Sequence, residues 1–351
     1  MRYIIIGAGA IGGSIGGRLH ESGHDVVLVA RGSHLAALRE DGLRFSTPEG
    51  TRTLGVPVVG GPEELELGPE DALVVAVKAQ HTVGVLEAWA GQPVSGQAAT
   101  DQPMSGQPVT GQAVSGGGTA GELLPLVCAQ NGVANERFAL RWFRRVYGMS
   151  VWMPATHLEP GRVAVPGAPF SGILHLGRYP SGSDRTARVI AADLEQSRFQ
   201  APVHDDVMWW KYGKLIGNLP NALDALAGPI EDGPAMELFH RVMAEGEAVL
   251  TAAGIKYPTV AEQLERRGDL MKTVPLEGVE LGGSSSRQSL TRGTGSIEAD
   301  YLNGEIVLLA REHGLPAPLN EALQRLVTRY AREGRAPGSL PAAELTALLA
   351  L

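Results

Sequence analysis

Two stretches of the chain carry side chains that could move a proton beside a polar small molecule. In DVMWWKYGKLIGNLPN, residues 206–221, Lys211, Lys214, Asn218 and Asn221 are spaced three, four and three apart. A regular helix aligns them on one face, with Pro220 expected to distort the last turn. Trp209, Leu215 and Ile216 supply an apolar surround, in which burial draws a lysine pKa down towards neutrality and makes the ammonium a usable general acid. Spacing alone leaves Lys211 and Lys214 both eligible, and a solvated Lys/Asn stripe has the same pattern. The second stretch runs GGSSSRQSL, then GSIEADYLNG. It offers the hydroxyls of Ser285 and Ser286 to a polar ligand, and it places Ser296 where it could cap a helix carrying Glu298. Alone, this segment reads equally as a capped helix after a Ser/Gly loop.

The N-terminus has the pattern of a dinucleotide-binding turn. The apolar run Tyr3-Ile4-Ile5-Ile6 feeds directly into Gly7-Ala8-Gly9-Ala10-Ile11-Gly12, and Ile11, Ile15 and Leu19 then fall on one helical face. In a βαβ unit the first glycine makes the tight turn, the second lets the backbone approach a pyrophosphate, and the third lets helix and strand pack closely. The diphosphate then rests on the free N–H groups and positive end of the helix. A second strand, Asp25 to Ala30, follows at the spacing this unit requires and ends at Arg31. That position faces the adenosine ribose. Arginine in place of Asp or Glu suits a 2′-phosphate, which points to NADP.

The remaining strands of a doubly wound sheet are read at Ala72–Val77, ending in Lys78-Ala79-Gln80, and at Leu123–Ala129, ending in Gln130-Asn131-Gly132. Lys78 and Asn131 therefore lie at the sheet edge where ligands bind. Between them, residues 92–116 repeat every five residues as QPVSG, QAATD, QPMSG, QPVTG and QAVSG. Such a segment has too little apolar surface to offset its ordering entropy, and it reads as a flexible surface loop. Beyond residue 205 the pattern is mostly helical. The expectation is α/β, with an N-terminal Rossmann domain over 1–180 and a mainly α-helical C-terminal domain over 181–351. A net charge of -8 without a basic run disfavours nucleic acid, and no apolar run is long enough to span a bilayer. Cys128 is the single cysteine, so no internal disulfide can form and the residue reads as a core thiol. The chain reads as cytoplasmic, without a metal-ligand set and with a homodimer left open.

The motifs GAGAIG, VARG, VKAQ, QNG, KLIGN and SSSRQS…GSIEADYLNG, in this order over nearly the whole chain, resemble the 2-dehydropantoate 2-reductase (ketopantoate reductase) family. The resemblance implies NADPH-dependent reduction of ketopantoate to pantoate, or of another branched 2-keto acid, in a cleft between the two domains. It implies Lys214 as the acid that protonates the ketone oxygen, Asn218 as a substrate ligand, and Glu298 as the group orienting the substrate hydroxyl and the lysine. It places Lys78 and Asn131 beside the nicotinamide and its ribose. The family's second asparagine, four residues after the first, is Ala222 here, with Asn221 one place earlier. The serine-to-glutamate spacing is about one residue longer than the family's, so either Ser285 or Ser286 matches the substrate serine.

Overall fold

The computed structural model describes residues 1–96, 118–230 and 233–349. Its main sheet takes the strands in the spatial order Phe199–Gln200, Gly172–Arg178, Arg145–Trp152, Pro125–Cys128, Asp71–Val75, Arg2–Ile6, Asp25–Val29 and Val58–Val59. The strands from Arg145–Trp152 to Val58–Val59 run parallel, and Gly172–Arg178 turns antiparallel to its neighbour. The chain leaves Arg2–Ile6 towards one edge and returns to Asp71–Val75 on its other side. The crevice at that reversal, outside the carboxyl ends of the strands, is where such sheets bind ligands.

Helices cover both faces, which is why the central strands are continuous apolar runs. Tyr3, Ile5, Val26, Leu28, Ala72 and Val74 belong to one buried cluster. Their alternates Ile4, Ile6, Val27, Val29, Leu73 and Val75 belong to the other. Cys128 is fully buried in the second, and burial pushes its thiol well above the usual range. A third core is built from the helices Val207–Asn218, Asn221–Ala227, Gly233–Ala252, Asn303–Glu312 and Pro318–Arg332.

The sheet unit runs on past residue 180. The helix Arg185–Gln196 packs its Ala187, Ile190, Ala191 and Leu194 into the first sheet core, and Phe199–Gln200 pairs with Gly172–Arg178. We therefore place the division between the units just before the helix Val207–Asn218. The repeat segment also differs from expectation at its start. Its first unit, Gln92–Gly96, is part of the fold: Val94 bridges to Leu67 and is buried in the second sheet core. Residues 97–117, which hold the other repeats, lie outside the described residues.

Candidate active site

A cleft of about 1160 Å³ lies between the carboxyl ends of the sheet and the helical unit. At its sheet end the glycine turn has the shape that the motif requires. Gly7 has φ +102°, and a Cβ on Gly12 would stand 2.0 Å from the Gly7 carbonyl oxygen. A Cβ on Gly9 would meet nothing nearer than His157 at 3.9 Å, so this backbone is bare to the cleft. The helix Ala10–Glu21 starts with no side-chain cap and no acid in its first turn. Its first N–H groups are thus left for an anion, as a bound diphosphate needs. Gly7, Ala8, Gly9, Ala10 and Ile11 line the cleft, while Gly12 is buried behind them. His34 braces the turn from the far side. It accepts a hydrogen bond from the Gly161 N–H at Nδ1, so its Nε2–H donates to the Ala8 carbonyl at 2.8 Å. Arg31 lines the same end, exposed at the start of the helix Gly32–Asp41. These residues fit a dinucleotide: a turn without side chains, a helix start without acids, and a cation at the ribose end.

Lys78, Asn131 and Glu298 line the middle of the cleft. The Glu298 carboxylate accepts the Ala79 backbone N–H at 2.9 Å, and Lys78 donates to the Ser296 carbonyl at 3.4 Å. Burial lowers the Lys78 pKa to about 8, with Arg292 lowering it further and Glu298 opposing. Burial raises the Glu298 pKa, against the Ala79 hydrogen bond and the charges of Lys78 and Arg292. Arg292 donates to the His157 carbonyl at 2.8 Å. Lys78 and Arg292 are the charges that act on Glu298, and no hydrogen bond or ion pair joins Glu298 to Lys214 among the described residues. Glu298 sits on the one-turn helix Glu298–Tyr301, pressed against the strand end at Lys78-Ala79. Ser296 does not cap that turn, whose N-cap is Ile297 with no side-chain bond. Its hydroxyl instead accepts from Gln80 at 3.4 Å.

The helix Val207–Asn218 separates its two lysines. Lys211 is buried, ion-paired with buried Glu136, and it donates to the Gln130 carbonyl at 3.1 Å. Lys214, one turn on, lines the cleft. Burial, reinforced by the Lys211 charge, lowers its pKa to about 8. Asn218 also lines the cleft, and its amide donates to Asn131 Oδ1 at 3.3 Å, joining the two units. Asn221 reaches the cleft from the start of the next helix. The apolar backing differs in one member. Leu215 and Ile216 are in the helical core, but Trp210, not Trp209, is the fully buried tryptophan, stacked on His175 at 3.8 Å.

The serine segment forms the helix Ser285–Thr291, capped by Ser284, whose hydroxyl accepts from the Arg287 N–H. Asp224 anchors it by accepting the Ser284 N–H at 3.1 Å. Ser285 lines the cleft and Ser286 does not, being buried one position round the helix. Ser289, four residues after Ser285, lines the cleft with it. Ser289 and Arg292 were absent from the sequence reading. Their only signal is the spacing of four and seven from Ser285, which becomes informative once the segment is known to be helical.

A parallel sheet with a bare glycine turn at its reversal point, facing a cationic cleft that holds a buried lysine of a separate helical unit, is the architecture of a two-unit oxidoreductase with an NAD(P)H-binding fold. The family model for ketopantoate reductase PanE/ApbA matches residues 3–100, and that for its C-terminal domain matches 206–331. The 2-dehydropantoate 2-reductase of Mesorhizobium japonicum is 32% identical over 349 residues, covering 95% of this chain and 98% of the relative. That of Pyrococcus abyssi is 26% identical over 343 residues, covering 95% and 100%. A crystal structure of a PanE/ApbA family ketopantoate reductase from Ralstonia eutropha JMP134 superposes with a TM-score of 0.71 at 26% identity, covering 95% and 99%. The ternary structure of a D-mandelate dehydrogenase with NADH and anilino(oxo)acetate shares the fold, with a TM-score of 0.72 at 21% identity over 95% and 99%. The chain belongs to the ketopantoate reductase family, whose members are oxidoreductases acting on a small keto acid.

Proposed function

We propose that this protein reduces a 2-keto acid with NADPH, with ketopantoate to pantoate as the leading reaction. The observation that carries this is Lys214, a lysine with its pKa drawn to about 8, in the cleft that also holds the bare glycine turn. When bound, the reduced cofactor supplies the hydride from C4 of its nicotinamide. Lys214 then gives its proton to the carbonyl oxygen as negative charge develops there, and an ammonium near its pKa at neutral pH suits that task. Asn218, Asn221 and Ser285 offer amide and hydroxyl groups to orient the keto acid. Glu298, with one carboxylate oxygen on the Ala79 N–H, has the other for a substrate hydroxyl. Lys78 and Arg292 give the cleft the positive charge that a carboxylate substrate needs. Arg31 is the group for the 2′-phosphate. Asn131, tied to Asn218, stands at the nicotinamide ribose. The reading is supported by the names of the Mesorhizobium japonicum and Pyrococcus abyssi relatives, both 2-dehydropantoate 2-reductases.

The test is consumption of NADPH and of NADH across a panel of 2-keto acids that includes ketopantoate. Turnover of ketopantoate above the other acids, with NADPH preferred, is the expected result. Absence of turnover with every acid and both cofactors overturns the assignment.

A further inference from the structure

A second cavity, of about 340 Å³, opens beside the cleft and shares Met153, Lys214 and Asn218 with it. This is within the size range of pockets that enclose a small molecule, about 300–1,000 Å³. The shared residues include Lys214 and Asn218, the acid and the substrate ligand of the proposed reaction, so on that reading a substituent next to the carbonyl can enter from there. The other walls are mostly apolar: Trp152, Val260, Leu264 and Met271. The only charged side chains among the described lining residues are Lys214 and Arg267, both cationic.

The outer wall is built into the fold. The helix Val260–Arg267 begins with a capping box, in which Thr259 and Glu262 satisfy each other's backbone N–H groups. Its Gln263 is buried and donates to the Pro258 carbonyl at 3.0 Å. Pro258 in turn lies against Gly213 of the lysine helix, where a Cβ would stand 2.6 Å from the ring. At the other end Met271–Thr273 pairs with Gly167–Pro169, which buries Met271. Yet Val260 and Leu264, one turn apart on this anchored helix, are 36% and 50% exposed. An anchored wall thus presents two large aliphatic side chains beside Lys214, a surface that a small apolar group can cover.

We propose that this side pocket takes up the side chain of the 2-keto acid and selects branched or aromatic apolar side chains, with Leu264 setting their size. This rests on the keto-acid reductase reading above. Cationic side chains are disfavoured by Arg267 and Lys214, and a methyl group leaves the pocket empty.

The test compares the unaltered enzyme with Leu264→Trp, a filling change at a half-exposed site, on pyruvate, 3-methyl-2-oxobutanoate and phenylpyruvate with NADPH. The unaltered enzyme is expected to favour the two larger acids by about tenfold or more in kcat/KM, the scale of small apolar differences in a pocket. Leu264→Trp is expected to remove that advantage through KM while leaving pyruvate within about twofold. Equal loss on all three acids, or no loss on any, overturns the pocket assignment while leaving the reductase reading intact. If no acid is reduced, the reductase reading fails, and the pocket is read without turnover by titrating phenyllactate against intrinsic fluorescence. Saturable quenching that is lost in Trp152→Phe supports the pocket. Quenching unchanged in Trp152→Phe, or absent, overturns it.

Discussion

The two lysines of the helix Val207–Asn218 differ in what surrounds them, not in type. Lys211 meets a buried carboxylate and a carbonyl, so its charge is used in holding that helix to the loop at Gln130 and to Glu136. Lys214 meets the cleft. The spacing put both on one face, and no rule of spacing could choose between them, because the choice depends on Glu136, 75 residues away. Removing one partner of a buried ion pair leaves an unpaired charge, which costs about 3–5 kcal/mol. Lys211→Met is therefore expected to lower the urea midpoint markedly, and adding Glu136→Leu is expected to recover much of the loss. A Lys211→Met protein as stable as the original would contradict the structural role. Arg31 is the residue on which we propose that cofactor choice turns. Charge-assisted bonds to a 2′-phosphate contribute about 1.5–3 kcal/mol, so Arg31→Ala is expected to weaken NADPH about ten- to a hundredfold, with little change for NADH. Calorimetric titration of both cofactors checks this, and equal affinity in the unaltered protein would sink the assignment.

At the scale of elements, the strand and the glycine turn that open the chain were legible because each residue there answers to a local constraint. The alternation of Ile4 and Ile6 against Tyr3 and Ile5 into opposite cores, and the 2.0 Å approach at Gly12, are consequences of neighbours close in sequence. The seating of Glu298 on the Ala79 N–H was not legible, since it depends on how a loop after residue 290 meets a strand end near residue 78. The repeat segment was half legible: its low complexity is plain, but Val94 looks like any other valine of the repeat until Leu67 is placed beside it. The two ends of the segment are joined directly, Val94 N–H to the Gly118 carbonyl at 3.0 Å and Ala120 N–H to the Gln92 carbonyl at 2.8 Å. Replacing residues 97–117 with a short Gly/Ser linker is thus expected to leave the melting temperature and turnover nearly unchanged, because loop length costs little to close. Val94→Ala is expected to lose about 1.5–3 kcal/mol, the scale of burying a valine side chain. Thermal unfolding of the two variants distinguishes them, and the opposite order would contradict the anchoring of the first repeat.

At the scale of the whole molecule, the work is divided between two cores. The sheet unit supplies the glycine turn, Arg31, Lys78 and Asn131, and the helical unit supplies Lys214, Asn218, Asn221, Ser285 and Glu298. Cofactor binding and proton transfer should therefore respond to different substitutions. Lys214→Ala is expected to leave NADPH affinity nearly unaltered while lowering kcat by ~10²–10⁴-fold, the usual worth of a general acid. The pH dependence has a definite sign. With Lys214 as the proposed acid, reduction uses the ammonium form, so kcat should hold level below about 8 and fall as pH rises through it. Lys78 also has its pKa lowered to about 8, so the limb must be assigned by substitution. The decisive measurement is the pH profile of kcat for keto-acid reduction by the unaltered enzyme, Lys78→Arg and Lys214→Ala. A falling limb near pH 8 in the first two, with the limb gone and the rate reduced by at least about a hundredfold in Lys214→Ala, is the expected outcome. A Lys214→Ala enzyme that keeps both its rate and its limb would contradict the assignment of the proton to Lys214.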